Sequence, residues 1–183
     1  MKPIGVLLCG PSGVGKSSHA AEMLKNAGAD ISDFLVVDPD TIDLPNHEER
    51  SAKAVELIKN AVADKKNVAY IATCGGIKVI SSLLSSMKSK GYRTVVGIVY
   101  ASLPVALQRI QKRTEQLTPD DVVHDLHAFF KTKAERFMKL PNIDEIYLYN
   151  NQTDFNLVLE KKKKKIHCLA KDSDFYFDIS KYC

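Results

Sequence analysis

Apolar and polar positions along this chain switch repeatedly between two periods. Residues 4–9 are a short apolar run, which predicts a buried strand. Residues 16–27 predict a helix closed by Gly28. Residues 34–37 are a second short apolar strand ending at Asp38. After a loop with Pro39 and Pro45, Asn46 and Glu49 have capping-box spacing. They start a helix with Val55, Ile58 and Val62 on one stripe. Residues 68–73 predict a third strand. Ile77, Ile80, Leu84 and Met87 mark the next helix, ended by Gly91. Residues 93–100 are a fourth strand, and 104–113 a short helix. Thr118, Pro119, Asp120 and Asp121 are a hydroxyl cap, a first-turn proline and acids suited to the positive end of a helix. That helix reaches about residue 138, with Val122, Leu126, Phe129 or Phe130, and Phe137 on its inner side. Residues 143–149 predict a fifth strand.

Repeated strand–helix units imply an α/β fold of three layers: a five-stranded parallel sheet, helices on both faces and right-handed crossovers. This unit takes residues 1–150. Residues 151–183 read as an extension with a small β appendage, packed on or trailing from the same domain. Within it, 155–160 and 166–170 are extended runs, and 174–179 alternate as an edge segment or a further strand.

Composition changes this picture little. The 183 residues suit one domain, and 45% hydrophobic with 26% charged residues is ordinary for a globular chain. The net charge of +4 comes from one place, Lys161, Lys162, Lys163, Lys164 and Lys165. Without them 21 basic residues face 22 acidic ones, a net −1. The run suits a phosphate-rich partner such as nucleic acid or, the favoured reading, the tip or edge of a β-ribbon, where lysines discourage strand addition. No apolar run is long enough to cross a bilayer, and a Gly-rich motif follows the first strand in place of a signal cleavage site. Cys9, Cys74, Cys168 and Cys183 are scattered without a CxxC pair, which reads as reduced thiols in a cytoplasmic protein, Cys74 buried.

The chemistry starts at Gly10-Pro11-Ser12-Gly13-Val14-Gly15-Lys16-Ser17, a full match to GxxxxGK(S/T) between a strand and a helix. The glycines let backbone N–H groups turn inward around phosphates. The helix start adds positive potential. Lys16 reaches the β- and γ-phosphates of ATP, the Ser17 hydroxyl ligates Mg²⁺, and Ser18 is an extra contact. Residues 68–76 contain no acid and no NKxD occurs anywhere, which counts against a GTPase switch.

Carboxylates stand instead after the second strand, at Asp38 and Asp40, with Asp43 beyond. Strands one and two open onto the same crevice in such a fold. A carboxylate there orients a hydroxyl, accepts its proton, or joins the metal shell, Asp38 being nearest the strand end. The division of base and metal roles between Asp38 and Asp40 stays open. Arg109 and Arg113, four apart on one helical face, sit where a lid neutralises a transferring phosphoryl group; an exposed basic face is the other reading.

Together the phosphate-binding loop, the Asp38–Asp40 pair, residues 95–100 with 107–113, and residues 144–151 resemble the zeta-toxin-type P-loop kinases over residues 4–151. The resemblance implies transfer of the γ-phosphate of ATP to a hydroxyl of a nucleotide sugar or related small molecule. It gives Lys16 and Ser17 the phosphate and Mg²⁺ roles, Asp38 or Asp40 the base role, and Arg109 and Arg113 the lid role. The chain departs from the pattern after Asp40, where the group has an arginine and the nearest here is Arg50. It also lacks the Gly-Arg pair of the lid. A catalytically reduced ATP-binding regulator is therefore the alternative. Residues 71–76 are similar to the acceptor-binding turn of shikimate kinases, with Cys74 in place of a glycine; polynucleotide 5′-hydroxyl kinases share the loop and lid logic. His124 and His127 lie three apart on a helix read as a surface helix, and Tyr147 and Tyr149 read as packing residues.

Overall fold

The structure is a computed structural model that describes residues 1–113 and 119–183. The strands are β1 (Ile4–Cys9), β2 (Leu35–Val37), β3 (Val68–Ala72), β4 (Arg93–Tyr100), β5 (Glu145–Asn150), β6 (Asn156–Lys162) and β7 (Lys165–Cys168). They form one sheet in the order β2-β3-β1-β4-β5-β6-β7. The first five run parallel and β6 and β7 antiparallel. The expected parallel core is present. The appendage is not separate, because β6 hydrogen-bonds along β5 and carries the same sheet onward as a hairpin. The Lys161 to Lys165 run is the tip of that hairpin, with Lys163 at a φ of 57° in its turn.

The helices are α1 (Ala20–Asn26), α2 (His47–Ala63), α3 (Ile77–Ser89), α4 (Leu103–Gln111) and α5 (Asp120–Lys133). Strand alternation builds two cores. Leu7, Tyr70, Val96, Ile98 and Leu148 face α2, α3 and α5, packing on Ile58, Leu84, Met87 and Phe130. Val6, Leu8, Ile71, Val99 and Tyr149 face the other way onto Met23 and Leu24 of α1. Asn46 caps α2 by accepting from the Glu49 backbone N–H at 2.8 Å, as its spacing predicts.

Four expectations are corrected. Regular helix begins at Ala20 and not at Lys16, because residues 16–19 continue the loop as turns. The inner row of α5 is Val123, His127 and Phe130; Val122 is 41% exposed. A period of 3.6 does not tell a core stripe from the wall of a cleft, and Val122 and Leu126 line a cleft. The proposed Thr118 cap lies outside the described residues. Residues 174–179 are irregular, with bends, and not a strand: Tyr176 is buried, donates its hydroxyl to the Val99 carbonyl at 2.8 Å, and packs edge-on against Tyr100.

The fourth correction concerns the cysteines. Cys9 is bonded to Cys74, and Cys168 to Cys183. Strand pairing explains the first bridge. Cys9 lies beside Ala72 in the sheet, and the chain after β3 turns Cys74 back over the end of β1. Spacing along the sequence cannot reveal a contact made across 65 residues. A cross-link closing a loop of that size stabilises by about 4 kcal/mol, and the shorter loop by about 3 kcal/mol. Reduction is therefore expected to lower the urea midpoint markedly, with Cys74→Ser reproducing most of the loss. Four free thiols titrating before any reductant is added, and a midpoint unmoved by it, would contradict the pairing.

Candidate active site

The phosphate-binding loop joins β1 to the turns before α1. Its glycines are required by backbone shape: Gly13 and Gly15 have φ values of 84° and 97°. A Cβ on Gly13 would lie 2.5 Å from the Ala106 carbonyl oxygen, and one on Gly15 would strike the Asn151 side chain. The loop is braced from behind by Asn151, a buried residue at the end of β5, whose amide donates to the Val14 carbonyl at 2.8 Å. Lys16 lies across the loop. Its ammonium donates to the carbonyls of Gly10 at 2.7 Å and Pro11 at 2.9 Å. Desolvation lowers its pKa from 10.5 to about 8, against the pull of Asp40 and Asp38, which favour the charged form.

Asp38 follows β2 and caps the single turn formed by Pro39–Thr41. One carboxylate oxygen accepts from the Asp40 backbone N–H at 3.0 Å, and the other from the Ser17 hydroxyl at 3.0 Å. The Asp40 carboxylate makes no hydrogen bond or ion pair among the described residues. Ser12, Gly13, Gly15, Lys16, Ser17, Asp38, Asp40, Tyr70, Thr73 and Arg113 line one cavity of about 230 Å³, which Pro119, Val122 and Leu126 wall from α5 and the residue before it. The sequence-predicted Lys16, Ser17, Asp38, Asp40 and Arg113 thus meet at the C-terminal ends of the strands. Ser18 is exposed and does not line this cavity.

Arg109 is placed elsewhere. Its guanidinium donates to the Asn151 carbonyl at 2.7 Å, on the bracing side of the loop, and its Nη1 is buried without a partner. Arg50, the nearest arginine after Asp40, is also occupied within the protein, donating to the Leu44 carbonyl at 3.0 Å.

A second cavity, of about 730 Å³, continues from the first between α2 and α3. The two share His47, Ser51, Tyr70, Ala72 and Thr73, and the second runs over Cys74, Gly75 and Gly76. Cys74 adopts a φ of 57°, the left-handed conformation that a glycine takes more easily, and its bond to Cys9 ties this turn to the residue before the phosphate loop. Tyr70 is buried, and desolvation together with Asp38 raises its hydroxyl pKa.

Sequence reasoning passed over Tyr70, although a hydroxyl in an otherwise apolar strand was a usable signal. It also passed over His47 and Ser51, which share a face of α2 at i, i+4 spacing. The surface reading of His127 is corrected. It is 7% exposed, and desolvation lowers its pKa to about 4. His124 beside it is exposed.

The oxygens of Ser17 and Asp38 are a hard donor pair of the kind Mg²⁺ takes alongside phosphate oxygens and waters. Among the described residues no group of three or more His, Cys, Asp or Glu is placed to hold a metal. Mg²⁺ would therefore depend on nucleotide phosphates to complete its shell. No helix of the described residues is long and apolar enough to cross a membrane.

Comparisons with known proteins agree with the fold. The fold matches a structure of the PezAT chromosomal toxin–antitoxin system of Streptococcus pneumoniae with a TM-score of 0.68 at 18% identity, over 87% of this chain and 71% of that one. It matches the AvrRxo1-ORF1:AvrRxo1-ORF2 complex with ATP with a TM-score of 0.70 at 16% identity, over 92% of this chain and 61% of that one. A gluconokinase from Sinorhizobium meliloti 1021 gives 0.54 at 15% identity, over 82% and 83%. The resemblance to zeta-toxin-type P-loop kinases is therefore borne out in the fold. No curated protein matches by sequence. A family model described as an AAA domain matches residues 6–124, from inside β1 to the first turns of α5. With that match covering well over half the chain, and the phosphate-binding loop inside it, the chain belongs to this AAA domain family of P-loop proteins.

Proposed function

We propose that this protein is an ATP- and Mg²⁺-dependent kinase that transfers the γ-phosphate to a hydroxyl of a small molecule, zeta-toxin-like, with a nucleotide sugar or nucleoside as the leading acceptor class. The observation that carries the reading is one cavity in which a phosphate-loop lysine, two carboxylates and an arginine converge. Phosphoryl transfer needs little covalent chemistry from the protein, so positioning and charge do most of the catalysis.

In this reading the loop amides and Lys16 hold the phosphates. Ser17 and Asp38 would hold Mg²⁺, which when bound offsets negative charge on the β- and γ-phosphates. Asp38 already accepts two hydrogen bonds, whereas the Asp40 carboxylate is uncommitted. Asp40 is therefore assigned as the base that orients the acceptor hydroxyl and takes its proton. Arg113 faces the same cavity and stabilises charge on the moving phosphoryl group. Arg109 supports the site from behind, through Asn151. The groove between α2 and α3 receives the body of the acceptor, with the turn at residues 73–76 as its floor.

A catalytically reduced ATP-binding regulator is the second reading, and the placement of Arg109 and Arg50 away from the cavity favours it. The assay that separates them is ADP release with ATP, Mg²⁺ and a panel of nucleotide sugars, nucleosides, shikimate and 5′-hydroxyl oligonucleotides. A kinase releases ADP in step with one added acceptor. A regulator binds ATP and releases none with any of them.

A polynucleotide acceptor is disfavoured by position. The lysine tip lies by Asp144, at the start of β5, where the Lys163 N–H donates to the Asp144 carbonyl. The cavity opens at the other end of the strands, roughly 20 Å away for strands of this length. All four cysteines are paired, so reduced thiols do not argue for the cytoplasm.

A further inference from the structure

The Cys9–Cys74 bridge joins the two halves of the proposed site. Cys9 ends β1 and directly precedes Gly10, the first residue of the phosphate loop. Cys74 stands in the turn between β3 and α3, and with Gly75 and Gly76 it lines the larger groove. The Cys168–Cys183 bridge lies elsewhere, between β7 and the C-terminal residue, and neither of its cysteines lines a cavity of the site.

The two ends of the Cys9–Cys74 bridge are held very differently. The phosphate loop has braces of its own: Asn151 donates to the Val14 carbonyl, and Lys16 to those of Gly10 and Pro11. The turn has none of that kind. Gly76, the N-cap of α3, offers no side-chain cap, and among the described residues no side chain from elsewhere hydrogen-bonds to residues 74–76. Cys74 also has a φ of 57°. A residue with a side chain is disfavoured in that conformation by roughly 10-fold. The bridge is therefore the tie on which the shape of the turn depends. Opening it releases the turn and leaves the loop braced.

The bridge is open to exchange from one side. Cys9 is fully buried, whereas Cys74 is 4% exposed and lines the groove. A dithiol reductant in the groove attacks Cys74 Sγ as a thiolate, the S–S bond breaks, and Cys9 leaves as a thiolate. The second thiol of the reductant then displaces Cys74. The reductant departs as a disulfide, two electrons pass to the protein, and the protons of its two thiols end on Cys9 and Cys74. A low-molecular-weight disulfide reverses both steps.

We propose that the Cys9–Cys74 bridge is a redox switch on acceptor binding. Closed, it holds the turn at residues 73–76 in shape for the acceptor; open, the turn relaxes and acceptor affinity falls while nucleotide affinity holds. The inference rests on the reading of the groove as the acceptor site. By linkage, bound acceptor favours the closed bridge by the same factor that the bridge favours acceptor.

The test uses the full chain carrying Cys168→Ser and Cys183→Ser, so that one bridge is followed. Its oxidised and dithiothreitol-reduced forms are compared without denaturant. The readouts are ADP binding by calorimetry, and kcat and KM for whichever acceptor of the panel takes label from γ-labelled ATP. Reduction is expected to raise that KM by about 10-fold, the share of turn conformations lost. ADP affinity is expected to stay near its oxidised value, and oxidised glutathione to restore the low KM. Adding Cys74→Ser should give the high KM in both conditions. In mixtures of reduced and oxidised dithiothreitol, saturating acceptor should move the half-reduction point toward the bridge by about the same 10-fold factor. Equal KM in the two forms, an ADP affinity that falls as far as KM rises, or a reduced protein without its native circular dichroism spectrum would each overturn the switch. An oxidised protein that labels no acceptor would overturn the kinase reading and the switch together. Labelling with a KM indifferent to reduction would overturn the switch alone.

Discussion

Replacing Lys16 by alanine is expected to reduce phosphoryl transfer by on the order of 10³-fold, with nucleotide affinity falling at the same time. The magnitude follows from removing a preorganised charge aimed at the reacting phosphates in a site partly shielded from water. The fold should tolerate the change, because among the described residues the Lys16 ammonium bonds only to carbonyls of its own loop. The wild type should also reveal this group through pH. Lys16 has a pKa of about 8, lowered by desolvation, and phosphate favours the protonated form. Below pH 7 the ammonium is already charged and affinity is flat. Above pH 8 binding must take up a proton, so affinity falls by up to tenfold per unit. The Lys16→Ala protein should lose that slope. A calorimetric titration of ADP from pH 6.5 to 9.5 checks both statements. A variant that binds and turns over like the wild type would remove Lys16 from the site.

The second large effect is expected at the carboxylates, and it separates their roles. Asp40→Asn should lower kcat by about 10²- to 10⁴-fold, the usual contribution of a positioned base, while leaving ATP affinity near the wild-type value. Asp38→Asn should lower both, because Asp38 anchors the Ser17 hydroxyl and the Asp40 backbone. The loss of affinity should appear with Mg²⁺ present and shrink when it is chelated. Steady-state kinetics with the competent acceptor, paired with binding at two Mg²⁺ concentrations, reads the difference. Activity surviving both substitutions would sink the base assignment.

Much of this architecture was legible because it is written locally. Residues 93–100 form the strand that their apolar run predicts, and Asn46 caps its helix as its spacing to Glu49 requires. The phosphate loop is a contiguous motif whose glycines serve a backbone need, so eight residues suffice to read it. The convergence of Asp38 with Ser17 also followed, since neighbouring parallel units open at the same sheet end.

What escaped was set by tertiary contact. The inner face of α5 is rotated one residue from the expected stripe, because its other apolar residues serve a cavity. His127 carries no local sign of its burial, which is set by how α5 packs against the body. Arg109 and Arg113 share a helical spacing, yet Arg113 lines the cavity while Arg109 is held by Asn151. The Cys9–Cys74 bond depends on which strands are neighbours, a fact that no cysteine spacing records.

The central claim is that the γ-phosphate of ATP leaves for a hydroxyl on another small molecule. Following γ-labelled ATP through a reaction with Mg²⁺ and each acceptor of the panel tests it most directly. The prediction is label on one acceptor, in an amount equal to the ADP formed, absent when Lys16 is alanine. Label that stays on tightly bound ATP with every acceptor, or that appears only as inorganic phosphate, would contradict it.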